Sequence, residues 1–253
     1  GDLFRYSSED SAVKRLEDAF ARKIGVNYAL AVSSCSAALF LSIKALMLPT
    51  SSRILIPAFT FAAVPSAIIH AGCIPILCEC GDNYRIDLED FKLKIGLADA
   101  VLISHMRGHT SDMDIIFAEC EAAGVPVIED AAHSLGTTWN GKMIGSFGKL
   151  GCFSFQSYKL LNSGEGGILV TDDPEILAKA VIMSGAYEHN WKKHIGLKRC
   201  FEKWQNKLPL YNLRLNNLSA VLLNAQLPEL ERRVKDGRRN HDITAARLNR
   251  SPW

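Results

Sequence analysis

The sequence predicts an α/β fold, a largely parallel sheet covered by helices on both faces. Strand-like and helix-like segments alternate from Tyr28 to Gly185, the pattern of βαβ units. Several of the strand-like segments are continuous apolar runs, as expected of strands buried on both faces. Polar residues follow several of those runs, and in open sheets of this kind ligands bind at the carboxyl ends of strands.

The elements follow in order. Residues 7–25 read as a helix: Ser7 or Ser8 caps it, Glu9 and Asp10 suit the positive end of its dipole, and Gly25 stops it. Val13, Leu16, Phe20 and Ile24 form its apolar stripe. YALAV (28–32) is a strand; a Ser/Cys turn leads into a helix from Ala37 to Met47. RILIP (53–57) is a strand, 61–72 is mostly helix, and IPILCE (74–79) is a strand. VLIS (101–104) is a strand, 113–124 a helix, and VPVIED (125–130) a buried strand ending in two acids. LGCFSF (150–155) and GGILVT (166–171) are strands, and 174–185 is a helix. Residues 186–212 are polar and aromatic without a clear period and read as a long loop or flap. Residues 216–235 read as helix, with Pro228 forcing a kink or break.

Composition narrows the class. The chain has 253 residues, 48% hydrophobic and 22% charged, with a net charge of +2. That is ordinary for a soluble globular protein. The near-neutral balance gives no electrostatic case for nucleic acid or an anionic membrane. No apolar run reaches the roughly 18–20 residues a spanning helix needs, and no signal-peptide pattern opens the chain. The expected compartment is the cytoplasm. The cysteine number, seven, is odd, and most lie in apolar contexts, which suits buried free thiols. Cys78 and Cys80 have no second pair at zinc-site spacing, so no structural metal is expected.

The polar residues at strand ends are Ser34-Cys35-Ser36, Thr60-Phe61, Ser104-His105, Glu129-Asp130, and Ser154 to Lys159. The run SSCSAAL (33–39) sets hydroxyl residues at a helix N-terminus. It serves either as a plain serine cap or as an anion site built from free amides. Neither a Walker loop nor G-x-G-x-x-G occurs, which counts against a nucleotide triphosphatase and a standard dinucleotide enzyme. Asp130 closes an apolar strand, as an N-cap, an ion-pair partner, or a carboxylate kept ionised to face a cation. His133, three residues on, lies near it if the turn is helical. Lys159 ends a core strand and precedes the Gly-rich NSGEGG. A lysine amine beside a phosphate anchor, with an acid on a neighbouring strand, is what pyridoxal phosphate chemistry requires.

The chain resembles the DegT-type sugar aminotransferases, fold-type-I enzymes that use pyridoxal 5′-phosphate to aminate keto sugars. The matching segments are 33–46, 56–79, 105–114, 127–173 and 211–227. The run of EDAAH, GSFG, FSF-x-x-x-K and GEGG is the most specific. The resemblance implies Lys159 as the Schiff-base lysine and Asp130 as the partner of the pyridinium nitrogen. His133 would meet the cofactor's ring oxygen and Phe61 would stack on the ring. Ser154, Ser36 and the Cys35 amide would hold the phosphate, and Asn212 would reach it from a neighbouring subunit. A homodimer with shared active sites follows from that last assignment.

The chain departs from the family pattern in places. Ser34-Cys35-Ser36 stands where the family has Ser-Gly-Thr, so the turn must tolerate a Cβ. Arg107 stands where an aromatic residue is common. This variant is similar to the branch acting on eight-carbon keto-deoxy sugar acids, where an arginine can meet a carboxylate or phosphate; a structural or surface role suits Arg107 as well. The resemblance implies a three-layer large domain over residues 1–215, built on a mostly parallel mixed sheet. It makes 216–253 a connecting helix and the start of a C-terminal domain largely absent from this sequence. The implied reaction is ping-pong transfer from glutamate or glutamine to a keto sugar, either nucleotide-linked or an eight-carbon acid. Two other readings remain: a pyridoxal phosphate-dependent dehydratase acting on a sugar or cyclitol, and a non-catalytic cofactor-binding regulator. Relatives that dehydrate sugars carry histidine in place of the lysine, which Lys159 opposes.

Overall fold

The computed structural model describes residues 8–185 and 190–250; Ser7 and residues 186–189 of the expected loop lie outside these. The chain runs α1 (Ala12–Ile24), β1 (Tyr28–Val32), α2 (Cys35–Ala45), β2 (Arg53–Pro57), α3 (Ala63–His70) and β3 (Ile74–Cys78). Then come α4 (Leu88–Lys94), β4 (Ala100–Ser104), α5 (Met113–Ala123) and β5 (Val127–Asp130). A small hairpin, β6 (Thr138–Trp139) and β7 (Lys142–Met143), precedes β8 (Leu150–Ser154), β9 (Gly167–Thr171) and α6 (Pro174–Met183). The chain continues with α7 (Lys198–Trp204), α8 (Asn217–Gln226) and α9 (Leu230–Leu248).

Seven strands form one sheet in the order β1-β9-β8-β5-β4-β2-β3. The pairs from β8 through β5, β4 and β2 to β3 are parallel. β9 runs antiparallel to both β8 and β1. The sheet is therefore mixed and mostly parallel, as the continuous apolar runs predict.

Strand parity sorts the core into layers. Leu30, Ile54, Leu102, Ile128, Cys152 and Leu169 face α2, α3 and α6. Ala31, Phe153, Ile168 and Val170 face α1 and α8 on the other side. Beside them, Leu55, Val101, Ile103 and Val127 pack against α4 and α5. The α1 stripe is buried as its spacing predicts, and Phe20 meets Phe153 and Phe155 edge-on at 5.1 and 5.6 Å. Asn216 caps α8, and Ala220, Leu223, Leu227 and Leu230 join this second core.

Several expectations need correcting. The α1 cap is Ser11, whose side chain accepts from Lys14 N–H, rather than Ser8. Here an N-cap two to three residues before the first apolar position outcompetes one further out. The expected loop at 186–212 holds a 3₁₀ segment at Asn190–Leu197 and the seven-residue α7. These helices are too short to show a period. The break expected at Pro228 is present: Leu227–Glu229 is a 3₁₀ turn, and α9 then runs beyond the expected end to Leu248.

The outer edge of β1 is closed off. Buried Glu17 accepts the Ala31 N–H at 2.9 Å, and Leu213 O accepts the Ser33 N–H at 2.8 Å. Glu17 also takes Lys193 Nζ at 2.5 Å. Burial raises the Glu17 pKa and Lys193 opposes the shift. An edge blunted in this way offers no unpaired ladder to another chain.

Candidate active site

Parity decides what stands at the carboxyl ends of the strands. Asp130 and Glu129 are neighbours, so they point to opposite faces of the sheet. Asp130 shares the α2 face with Ser104 and Ser154, and it is 6% exposed. Ser104 lies directly opposite Asp130 in register, and its hydroxyl donates to Oδ2 at 2.9 Å. The Ala132 N–H donates to Oδ1 at 3.1 Å, and the Cys35 thiol makes a long contact to the same oxygen at 3.9 Å. Asp130 is thus a carboxylate fixed in direction by three donors.

Glu129 does different work on the other face. Its side chain is fully buried. Oε1 accepts the N–H groups of Phe147 and Gly148 at 2.6 and 2.7 Å; Oε2 accepts that of Gly145 at 2.8 Å. His105 Nε2 lies 3.4 Å from Oε2. The GSFG loop is folded around this carboxylate, with no room to spare: a Cβ on Gly145 would come within 2.3 Å of the Phe153 ring.

Lys159 lies just beyond β8 in a turn closed by its own N–H donating to Gln156 O at 2.9 Å. The side chain is half-buried. Burial lowers its pKa from the usual lysine value and Arg107 adds to this, while Cys35 and Asp130 pull the other way. The Lys159 amine, the Asp130 carboxylate, the Cys35 thiol and the Arg107 guanidinium therefore share one electrostatic environment.

His133 is tied to the same group. Its Nδ1 accepts the Arg107 N–H at 3.2 Å. Desolvation first, then the charges of Lys159 and Arg107, lower its pKa against the pull of Asp130. A neutral imidazole that accepts at Nδ1 carries its proton on Nε2, which makes that nitrogen a donor. Arg107 itself is exposed and adopts a left-handed backbone, φ 57°, beside Gly108 at φ 83°. A non-glycine residue held in that region marks an over-determined turn.

The α2 N-terminus completes the group. Ser34 is its cap, with the side chain accepting from Ala37 N–H at 3.0 Å. Among the described residues, the Cys35 and Ser36 amides donate to no protein acceptor. Both readings of the serine run therefore coexist: one serine caps, and two amides remain for an anion. Cys35 is the first helical residue and is not among those with positive φ, so its Cβ is tolerated. Gly167, opposite both Val32 and Ser154 in register, lets this turn lie on the sheet. A Cβ there would fall 2.4 Å from Cys35 N. Ser154 Oγ accepts the Gln156 N–H at 3.3 Å on the far side of the same glycine.

Phe61 and Asn212 are placed differently. Phe61 stands 60% exposed just before α3. Asn212 is exposed on the segment hydrogen-bonded to the end of β1 through Leu213. Neither makes a hydrogen bond or ring contact with the Asp130–Lys159 group among the described residues. Sequence reasoning assigned no role to Ser104 or Glu129. The parallel register that sets Ser104 against Asp130 was the missing signal. A groove of about 830 Å³ lies at the opposite end of the sheet, beside Val127, Lys149 and Asp172. Two of its acids are already engaged: Asp172 accepts the Asn27 N–H and Asp173 caps α6.

A profile of the DegT/DnrJ/EryC1/StrS aminotransferase family matches residues 5–252. The chain belongs to this family. It is 34% identical over 229 residues to the spore coat polysaccharide biosynthesis protein SpsC of Bacillus subtilis (strain 168), covering 88% of this chain and 58% of SpsC. It is 32% identical over 244 residues to GDP-perosamine synthase of Vibrio cholerae, covering 96% of this chain and 64% of the synthase. The chain thus spans about three-fifths of the length of these DegT-family relatives. The E. coli GDP-4-keto-6-deoxy-D-mannose-3-dehydratase, solved with bound hydrated pyridoxal phosphate, superposes with a TM-score of 0.84 at 27% identity. That match covers all of this chain and 72% of the dehydratase. The seven-stranded mixed sheet is that of the fold-type-I enzymes in the family.

Proposed function

We propose that this chain carries the cofactor site of a pyridoxal phosphate-dependent aminotransferase that moves an amino group from glutamate or glutamine to a keto sugar. The supporting observation is Lys159, an amine of lowered pKa sharing its environment with the buried, thrice-hydrogen-bonded Asp130. The residues fit the cofactor. The Cys35 and Ser36 amides, with Ser154, suit a phosphate; Asp130 suits a ring N–H⁺; and His133 Nε2–H suits a ring oxygen. Phe61 is open to stack on the ring, and Asn212 is open to a neighbouring subunit in a homodimer. The cofactor supplies an electron sink that stabilises a carbanion at the donor's α-carbon.

The chain's own groups do the rest. Asp130 keeps the ring nitrogen protonated, since a fixed anion favours the charged form of a nearby base. Lys159 Nζ would hold the cofactor, and its amine would take and return the proton on the donor's α-carbon. Its lowered pKa makes a neutral amine available nearer to neutrality than in a free lysine. Arg107, exposed beside this group, suits the carboxylate or phosphate of an anionic acceptor, as in a sugar acid or a nucleotide-linked sugar.

The first half of the reaction is tested by mixing purified protein with pyridoxal phosphate and glutamate or glutamine and following the visible spectrum. Conversion to the aminated cofactor, with release of a keto acid, is the expected result, and bound cofactor that ignores both donors would refute the aminotransferase reading. A dehydratase neighbour has itself been solved with pyridoxal phosphate and glutamate trapped together, so the dehydratase reading is separated at the second step: a keto sugar yields an amino sugar if the group is transferred, and a deoxy sugar without nitrogen if water is lost. A second expected result concerns Asp130→Asn. The variant retains cofactor, but α-proton exchange of the donor in deuterated water slows roughly a thousandfold. Unchanged exchange would rule out Asp130 as the partner of the ring nitrogen.

A further inference from the structure

Helix α9 meets the core through one buried residue, Leu230, yet the residues around its start reach two loops of the site. Gln226, the last residue of α8, turns its side-chain amide onto Asn162. Nε2 donates to Asn162 O at 2.6 Å, and Oε1 accepts the Asn162 N–H at 3.2 Å. Arg233, on α9, donates from Nη1 to Leu160 O at 2.7 Å and to Gln226 Oε1 at 3.1 Å. Leu160 to Asn162 directly follow Lys159, and Asn162 Nδ2 returns to Lys159 O at 3.4 Å. Leu161, between the two clamped carbonyls, is fully buried.

The same helix grips the turn after Asp130. Arg238 Nη2 reaches Gly136 O at 3.4 Å, and Val234 fills the space where a Cβ on Gly136 would fall, 2.4 Å from its Cγ2. Gly136 lies three residues past His133. Gln226 and Arg233 are seven residues apart, the spacing that places two side chains on one face of a helix, and both converge on this loop across the 3₁₀ turn at Pro228.

We infer that Gln226 and Arg233 are positioning residues for Lys159: they fix the turn that carries it, and α9 ties that turn to the one that carries His133. This rests on the reading of Lys159 as the cofactor-attaching amine. The physical reason is geometric. A reacting atom displaced by about 1 Å can lose up to about a hundredfold in rate. A turn held only by its own short-range bonds does not resist such displacement.

The test uses the whole chain without cofactor first. Lys159 is labelled competitively with acetic anhydride across pH and read by mass spectrometry, with hydrogen exchange followed over residues 159–163. Arg233→Met is expected to raise the labelling midpoint toward that of a free lysine, because a loosened turn readmits water, and to speed exchange. With pyridoxal phosphate added, borohydride-trapped attachment at Lys159 is expected to slow about tenfold. Arg233→Lys should restore most of that rate. Arg232→Met, which removes only exposed pairs with Glu229 and Asp236, should leave all three readouts at wild-type values. Gln226→Met carries the same expectation as Arg233→Met should the latter not fold. A folded Arg233→Met or Gln226→Met protein with the wild-type midpoint and exchange would overturn the inference. Failure of the wild-type protein to attach the cofactor would overturn the reading of Lys159 alone, because labelling and exchange are read without it.

Discussion

Lys159→Ala is expected to lower turnover by about four orders of magnitude and to leave the fold intact. The side chain is half-buried, and among the described residues none of its side-chain atoms takes part in a hydrogen bond or ion pair, so its truncation opens no core cavity. What disappears is the amine itself, both as the point of attachment and as the carrier of the α-proton. Steady-state rates, with mass analysis of borohydride-treated protein, check both losses. The variant should bind pyridoxal phosphate reversibly and yield no reduced adduct at residue 159. Substantial turnover without the amine would refute the assignment. The sign of the pH effect is fixed as well. Because burial lowers the Lys159 pKa, attachment in the wild-type protein should reach its plateau at lower pH than with a free lysine amine.

Glu129→Ala is expected to cost the fold several kcal/mol, on the order of 3–5, a large part of the 5–15 kcal/mol that a domain typically has. Three backbone N–H groups, those of Gly145, Phe147 and Gly148, lose the acceptor they have among the described residues, in a loop that is buried at Gly145 and partly buried at the other two. Glu129→Gln should cost less, since one oxygen can still serve Phe147 and Gly148. Its NH₂ would then confront the Gly145 N–H, donor against donor. Denaturant melts of both variants, compared with Asp130→Asn, provide the check. Two adjacent acids should separate cleanly, one set of variants failing in stability and the other in proton transfer. A Glu129→Ala protein as stable as wild type would show that the loop finds other acceptors.

The strand alternation that announced the sheet was legible because each buried strand is an apolar run and each covering helix has its stripe. The antiparallel course of β9 was not, because pairing direction leaves no mark on a five-residue apolar segment. α4 went unnoticed because only Phe91 of its seven residues is buried, too few for a period. The candidate site residues are proposed from the family resemblance, and the division of labour between Glu129 and Asp130 needs the strand's parity and its neighbours. Gln226 and Arg233 were hidden for another reason. They lie 67 and 74 positions from Lys159, on a polar surface whose pattern resembles any solvated helix, and nothing in that pattern names the loop they hold.

The pairing of β1 with β9 has a consequence for how the chain is made. Val32 pairs with Gly167 and Tyr28 with Thr171, so the first strand has no place in the sheet until residues 167–171 have been synthesised. Until then the α1 stripe, from Val13 to Ile24, has no partner surface to cover it. Closing so distant a contact is slow, and the waiting segment is a natural client for chaperones. The α2 turn rests on Gly167, so the proposed phosphate cradle appears only when β9 docks. Cofactor capture would then be a report that folding has reached β9.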